Sequence, residues 1–143
     1  EVGVIPEVIS SMEEAGWENG IEGFMATSDL QRVAEYIDQY LPEIYYVNSE
    51  PGCVDIMASG VSKWRGIKIL AESLNIAHED ILTVGNYYND IDMLQHAGVG
   101  IAVANSLPEV KDVADFVTEY DNNHDAVAEI ISKMLHHEYD MTK

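Results

Sequence analysis

Apolar residues follow two different patterns along the chain, and the change falls near residue 60. Before it, apolar positions at helical spacing predict a helix that begins at Ser28, where Gln31 completes a capping box. This helix is expected to end at Pro42, because proline cannot continue a helix. An earlier helix is expected over residues 7–15.

The same part of the chain contains candidate strands. Apolar segments at 44–47 and 53–57 flank turn-forming residues at 48–52, which predicts a β-hairpin. A further strand is expected within residues 20–27. Helices combined with a hairpin indicate an α+β unit, so residues 1–59 are predicted to form one.

After residue 60, short uninterrupted apolar segments alternate with helical ones. Strands are predicted at 81–84, 99–103 and 116–118, and helices at 62–75, 91–96, 109–114 and 125–136. Ser62 is expected to cap the first of these helices, and Gly98 to end the second. The last helix is expected to turn its apolar face inward, with Val127, Ile130, Ile131 and Met134 buried. Such alternation favours an α/β domain over residues 60–143, with a parallel sheet covered on both faces.

Composition excludes several kinds of partner. The chain has 143 residues and a formal net charge of −19, which repels nucleic acid and anionic membranes. No apolar segment is long enough to span a bilayer, and no signal peptide is recognisable. The single cysteine, Cys53, rules out an internal disulfide, and a reducing cytoplasm is the expected location.

Candidate chemistry concentrates in the loop that follows the strand at 81–84. Gly85 permits a tight exit from the strand, and Asn86 and Asp90 supply oxygen atoms of the kind that Mg²⁺ prefers. Asn89 and Asp90 stand at a helix N-terminus, where backbone N–H groups favour anions. Lys63 lies in the first turn of another helix, where a cation opposes the helix dipole and therefore suggests a functional role.

Four motifs in order carry a resemblance to a known family. They are Gly-Val-Ser-Lys at 60–63, Gly-Asn-x-x-Asn-Asp-x-x-Met-Leu at 85–94, the apolar run at 97–103, and the segment from 105 to 118. Together they resemble the C-terminal half of the haloacid dehalogenase (HAD) superfamily of hydrolases, of the Cof type, which includes many sugar-phosphate phosphatases. The resemblance covers residues 60–143. Residues 1–59 resemble the end of that family's α+β cap.

The resemblance implies a Mg²⁺-dependent phosphatase that acts on a small phosphorylated metabolite, with sugar phosphates favoured. An aspartate attacks phosphorus, and a second acid protonates the leaving alcohol. Lys63 matches the lysine that steadies the nucleophile and phosphoryl oxygens, and Asn89 matches the asparagine that contacts phosphate. Asp90 matches the carboxylate that supports the metal and the lysine, and Asn86 occupies the position of a metal-binding aspartate.

Two departures from the family pattern affect these expectations. Asn86 is neutral where the family usually has an aspartate, so metal affinity is expected to fall. The nucleophile motif Asp-x-Asp-x-Thr/Val is absent from the sequence, which predicts that the nucleophile belongs to an N-terminal half outside it and that this chain alone does not turn over. The strand at 81–84 would then expose one edge, and self-association through that edge is expected.

Two other functions stay open. The Asn86 departure would also suit a non-catalytic HAD-like domain that kept the fold for binding. The phosphorylation domain of a cation-pumping ATPase has a similar loop, but the segment before Gly60 has no nucleotide-site signature and no membrane span.

Overall fold

The computed structural model describes Gly20 and residues 22–139. The first part of this region holds an antiparallel sheet of three strands and one helix. The elements are β1 (Phe24–Ala26), α1 (Leu30–Tyr40), β2 (Ile44–Glu50) and β3 (Cys53–Ala58), with strand order β1-β3-β2. The expected strand, helix and hairpin are therefore confirmed, whereas the helix over residues 7–15 lies outside the described residues.

Local turn chemistry corrects two details of this part. The predicted capping box at Ser28 and Gln31 is wrong, because the N-cap of α1 is Asp29, one residue later. Asp29 has a left-handed backbone (φ 50°), and its side chain makes no capping hydrogen bond. The hairpin turn is also shorter than expected. Strand β2 continues through Glu50, and Gly52 closes the turn with φ 80°, a conformation that favours glycine.

The rest of the described chain alternates helices with a parallel sheet. The elements are α2 (Lys63–Leu74), β4 (Leu82–Gly85), α3 (Ile91–His96), β5 (Val99–Ala102), α4 (Pro108–Val113), β6 (Phe116–Val117) and α5 (Ala126–Leu135). The strand order is β4-β5-β6, so β5 is central, and its residues are fully buried. The expected α/β fold with a parallel sheet is confirmed.

Two clusters of buried side chains cover the two faces of this sheet. Leu94 of α3 packs with Ala102 and Val110 on one face. On the other, Ile130 of α5 packs with Val99 and Ile101. Helices therefore lie on both sides of β5, which explains why its sequence is apolar without alternation.

Helix α5 buries a narrower face than its apolar pattern predicts. Ile130 is 3% exposed, but Val127, Ile131 and Met134 are 61%, 48% and 45% exposed, so the expectation that they face inward is wrong. The sheet beneath α5 has three strands, and β4 pairs only with β5 among the described strands. The sheet is therefore too narrow to cover the whole apolar face of the helix.

Gly98 does not end α3 as a left-handed cap. Ala97 takes the cap position in an extended conformation, and Gly98 is instead required by close packing. A Cβ at Gly98 would overlap the backbone carbonyl of Glu79, and the Gly98 N–H donates to the carbonyl of His78 at 2.9 Å.

The two sheets are formed by consecutive parts of the chain. The change from one to the other falls between Ala58 and Lys63, in the stretch where the sequence places a domain boundary at residues 59 and 60; the division into two domains stays a prediction. Within the described residues, no helix combines the length and apolar character needed to cross a membrane.

Candidate functional site

Lys63 owes its position to the cap of α2. The Ser62 hydroxyl accepts the N–H of Arg65 at 3.1 Å and so begins the helix, as expected. The Arg65 guanidinium donates to the carbonyl of Gly60 at 2.8 Å, so Arg65 holds the loop before the helix. Lys63 is thereby left in the first turn with a side chain 49% exposed.

Asp90 is held by the loop that leaves β4. It ends a short 3₁₀ turn, and its side chain is only 5% exposed. One oxygen, Oδ2, accepts the backbone N–H groups of Asn86 at 2.8 Å and Tyr87 at 3.2 Å. A Cβ at Gly85 would overlap the Asp90 side chain, which explains the glycine at the end of the strand.

Lys63 and Asp90 meet although 27 residues separate them in the chain. The Lys63 ammonium donates to Oδ1 of Asp90 at 2.5 Å. An ammonium has three donors, so two stay available to another group. The buried carboxylate therefore fixes the direction of a cation whose other donors face a cavity.

That cavity has a volume of about 500 Å³ and opens at the carboxyl end of β4. Lys63, Asn86 and Asp90 line it together with the start of α5. Ligands of open parallel sheets bind at this end of the strands. The structure thus brings three of the four predicted site residues to one cavity.

Asn86 presents its amide at the cavity without a protein partner among the described residues. Its backbone N–H is donated to Asp90, its backbone carbonyl accepts the Leu107 N–H at 3.3 Å, and its side chain is exposed. The backbone is therefore fixed while the side-chain oxygen is free to bind a ligand.

Asn89, the fourth predicted site residue, does not line this cavity. It lines a second cavity of about 560 Å³, which lies between the loop after β4 and the antiparallel sheet. Lys63 lines both cavities and therefore connects them. The cation is placed between Asn89 on one side and Asn86 with Asp90 on the other.

The oxygen atoms of this site fit a share of a Mg²⁺ coordination sphere. The described residues contain no group of three or more His, Cys, Asp or Glu side chains placed to hold a metal ion. Asp90 has about four acceptor positions, of which three are used, and the Asn86 amide oxygen is free. Mg²⁺ commonly binds one or two protein carboxylates and completes its sphere with water and substrate phosphate.

Four residues on the far wall of the second cavity could not be identified from the sequence. Tyr45 and Val47 of β2 and Asp55 and Met57 of β3 line this wall. Their alternate spacing in two neighbouring strands is a signal for one sheet face, but the sequence does not show which face meets the loop after β4.

Tyr88 lines the second cavity as well, and its hydroxyl is engaged. It donates to Oε1 of Glu109 at 3.2 Å, and this hydrogen bond to a carboxylate raises the pKa of Tyr88. The hydrogen bond ties the loop after β4 to α4.

Comparison with known proteins identifies the family. The model of the haloacid dehalogenase-like hydrolases matches residues 19–131, and the chain belongs to this family. Over 89 residues it is 34% identical to 5-amino-6-(5-phospho-D-ribitylamino)uracil phosphatase YcsE of Bacillus subtilis, covering 62% of this chain and 35% of that protein.

Solved structures of HAD phosphatases share the fold. The HAD subclass IIB sugar phosphatase BT4131 superposes with a TM-score of 0.74 at 29% identity, covering 94% of this chain and 48% of that one. The HAD phosphatase BT1666 from Bacteroides thetaiotaomicron gives 0.71 at 27% identity, covering 88% and 47%. The resemblance drawn from the motifs is confirmed. The chain spans less than half the length of each of these three relatives.

Proposed function

We propose that residues 60–139 supply the phosphate-binding lysine and part of the metal site of a Mg²⁺-dependent phosphatase. This phosphatase hydrolyses small phosphate monoesters, with sugar phosphates as the favoured class. The observation that carries this proposal is the Lys63–Asp90 pair, in which Lys63 lines both cavities. A phosphate ester needs positive charge and hydrogen-bond donors where it binds, and few cations are available in a chain of charge −19.

Lys63 acts as the phosphate-binding cation in this proposal. Its two remaining N–H donors bind phosphoryl oxygens and stabilise the charge that develops during transfer. Asp90 is a positioning residue, because its carboxylate is buried and aims the ammonium. Asn89 adds a neutral donor from the side of the second cavity.

Asn86 and Asp90 would hold Mg²⁺ from this chain's side. Bound there, the ion would neutralise part of the negative charge on the phosphate and the attacking carboxylate. The attacking carboxylate itself is proposed to come from a segment outside this sequence, because no Asp-x-Asp-x-Thr/Val motif occurs in it. We therefore expect that the chain alone does not turn over.

A measurement of phosphate binding tests the proposed role of Lys63 directly. We expect the chain to bind orthophosphate in the presence of Mg²⁺, as measured by isothermal titration calorimetry. Lys63→Ala should weaken this affinity at least about tenfold, because a charge-assisted hydrogen bond is lost. Lys68→Ala is the matched control, since Lys68 is exposed on the same helix and lines neither site cavity.

Reconstitution tests the reaction. The chain is co-expressed with the part of BT4131 that it does not match, and hydrolysis of p-nitrophenyl phosphate is followed. The two corresponding fragments of BT4131 serve as the positive control. We expect Mg²⁺-dependent hydrolysis that Lys63→Ala and Asp90→Ala abolish. Orthophosphate binding without hydrolysis would favour the non-catalytic binding domain, the alternative that the neutral Asn86 supports.

Asn86 gives a prediction for the metal. Asn86→Asp adds a carboxylate at the exposed ligand position and should raise Mg²⁺ affinity at least about tenfold, because a charged oxygen binds a hard cation better than an amide. Mn²⁺ titration followed by electron paramagnetic resonance would measure this. Asn48→Asp adds the same charge on β2 and should leave the affinity unchanged. Equal affinities for all three proteins would contradict the assignment of Asn86 as a ligand.

A further inference from the structure

The far wall of the second cavity is one face of the antiparallel sheet. Cross-strand partners point to the same side of a sheet, and the register pairs Tyr45 with Met57 and Val47 with Asp55. These four side chains therefore share a face, and that face looks across the cavity to Lys63 and Asn89.

Asp55 is the unusual member of this face. It lies on β3, the central strand of the sheet, and is half-buried among apolar neighbours. No hydrogen bond or ion pair joins its carboxylate to any residue within the described part of the chain. Asp92, the other carboxylate lining the cavity, has a neighbouring polar group, because Nδ1 of His96 lies 3.1 Å from its Oδ1. A partly desolvated carboxylate without a partner is unfavourable unless a ligand supplies donors.

The remaining surface of the cavity suits the ring of a sugar. Tyr45 is 44% exposed and presents an aromatic surface, and Val47, Met57 and Ile91 add apolar contact. C–H groups of a sugar ring pack against such surfaces, while its hydroxyls need acceptors. The cavity volume of about 560 Å³ is in the range of sites for small metabolites.

We propose that Asp55 is a specificity-determining residue that accepts hydrogen bonds from the hydroxyls of a sugar phosphate, whose ring lies against Tyr45 and whose phosphate binds Lys63 and Asn89. This assignment rests on the proposed function, because it uses Lys63 as the phosphate site. It adds the group that would distinguish a hydroxyl-rich leaving group from an apolar one.

Binding by the full 143-residue chain with Mg²⁺ present tests the assignment. The ligands are the monophosphates of glucose and fructose, phenyl phosphate, which has a ring but no hydroxyls, and orthophosphate. We expect at least one sugar phosphate to bind about tenfold or more tighter than phenyl phosphate. Asp55→Ala should remove this preference and leave orthophosphate affinity unchanged, which also shows that the variant is folded. Asp55→Asn should keep part of the preference, since an amide oxygen still accepts.

Asp112→Asn is the matched control, because Asp112 is exposed on α4 away from both cavities. Wild-type binding of phenyl phosphate as tight as that of both sugar phosphates would overturn the assignment, and so would an Asp55→Ala variant that keeps the preference. Failure of the wild-type chain to bind any of the four ligands would contradict the proposed function itself, and this assignment with it.

Discussion

The two partners of the central ion pair differ in their surroundings, and this difference assigns their tasks. The Asp90 side chain is 5% exposed and accepts two backbone N–H groups besides the ammonium, whereas Lys63 is 49% exposed. The Asp90 carboxylate is therefore fixed by the fold, and the Lys63 ammonium extends from it toward solvent. Such an arrangement keeps the carboxylate structural and leaves the cation available to a ligand.

This asymmetry predicts unequal stability losses. Asp90→Ala removes the acceptor of the Asn86 and Tyr87 N–H groups and should lower the free energy of unfolding by about 2–3 kcal/mol. Lys63→Ala should cost only about 1 kcal/mol, because Asp90 keeps its two backbone donors and the lost pair is half-exposed. Urea unfolding followed by circular dichroism measures both, with Lys68→Ala as the control. A larger loss for Lys63→Ala would contradict this division of roles.

Among the elements, α5 is hydrogen-bonded to the loop after β6 through the side chain of Glu129. Glu129 is 7% exposed and accepts the N–H groups of Glu119 and Tyr120 at 3.0 and 3.1 Å and the Lys133 ammonium at 2.7 Å. Burial alone would raise the pKa of Glu129, but the hydrogen bonds from Lys133 and the two backbone groups outweigh it and lower the pKa. The charged form is therefore favoured by folding.

The lowered pKa of Glu129 gives a pH-dependent prediction. Its contribution is fully present above the ordinary value of 4.5 and is lost as pH falls through the lower pKa of the folded state. Glu129→Gln should reduce the free energy of unfolding by about 1–2 kcal/mol at neutral pH, and this difference from wild type should shrink in acid. Urea unfolding at a series of pH values measures the difference. Glu72→Gln, on the exposed side of α2, should show neither effect.

Two glycines in regular elements should respond to alanine in opposite directions. Gly66 lies inside α2 with open space around its Cβ position, so Gly66→Ala should stabilise the protein by about 1 kcal/mol through helix propensity. A Cβ at Gly100 of β5 would overlap the backbone of Leu94, so Gly100→Ala should cost about 3 kcal/mol. Thermal unfolding distinguishes the two variants. A stabilising Gly100→Ala would show that α3 and β5 pack less closely than described.

The sequence predicts the kind of each element well, because apolar periodicity and cap residues are local. The strand and helix order after Gly60 and the Ser62 cap were correct. It does not show which apolar face is covered. Val127 and Ile131 belong to the apolar face of α5 by spacing, yet they are exposed, because coverage depends on the neighbouring strands.

The same limit applies to the candidate site. The proximity of Lys63 and Asp90 could be predicted from the sequence, because the resemblance to the family implies that this carboxylate supports the lysine. The separation of Asn89 from Asn86 into two cavities could not, and neither could the role of Asp55. These depend on how the antiparallel sheet packs against the loop after β4, which is a non-local contact.

On the scale of the whole molecule, apolar surface and negative charge oppose each other. Exposed apolar residues lie on α2 and on α5, which packs against β4, and the second edge of β4 pairs with no strand in the described region. Leu70, Leu74, Val127 and Ile131 are each 48% to 61% exposed. Unpaired strand edges and contiguous apolar patches promote association. The net charge of −19 repels a second copy over the whole surface.

This balance predicts a self-association that salt strengthens. Raising the ionic strength from about 0.01 M to about 1 M shortens the Debye length from about 30 Å to about 3 Å, which weakens repulsion but not apolar contact. Light scattering after size exclusion should therefore show a larger average mass at high salt. Ile131→Lys should reduce it, because a charge then lies on the exposed apolar face of α5. The control is Val117→Lys on β6, at the opposite edge of the sheet, where Val117 is 45% exposed. This variant should leave the association intact. A mass of one chain at every salt concentration would contradict association through the β4 edge, and an equal loss in both variants would place the contact elsewhere.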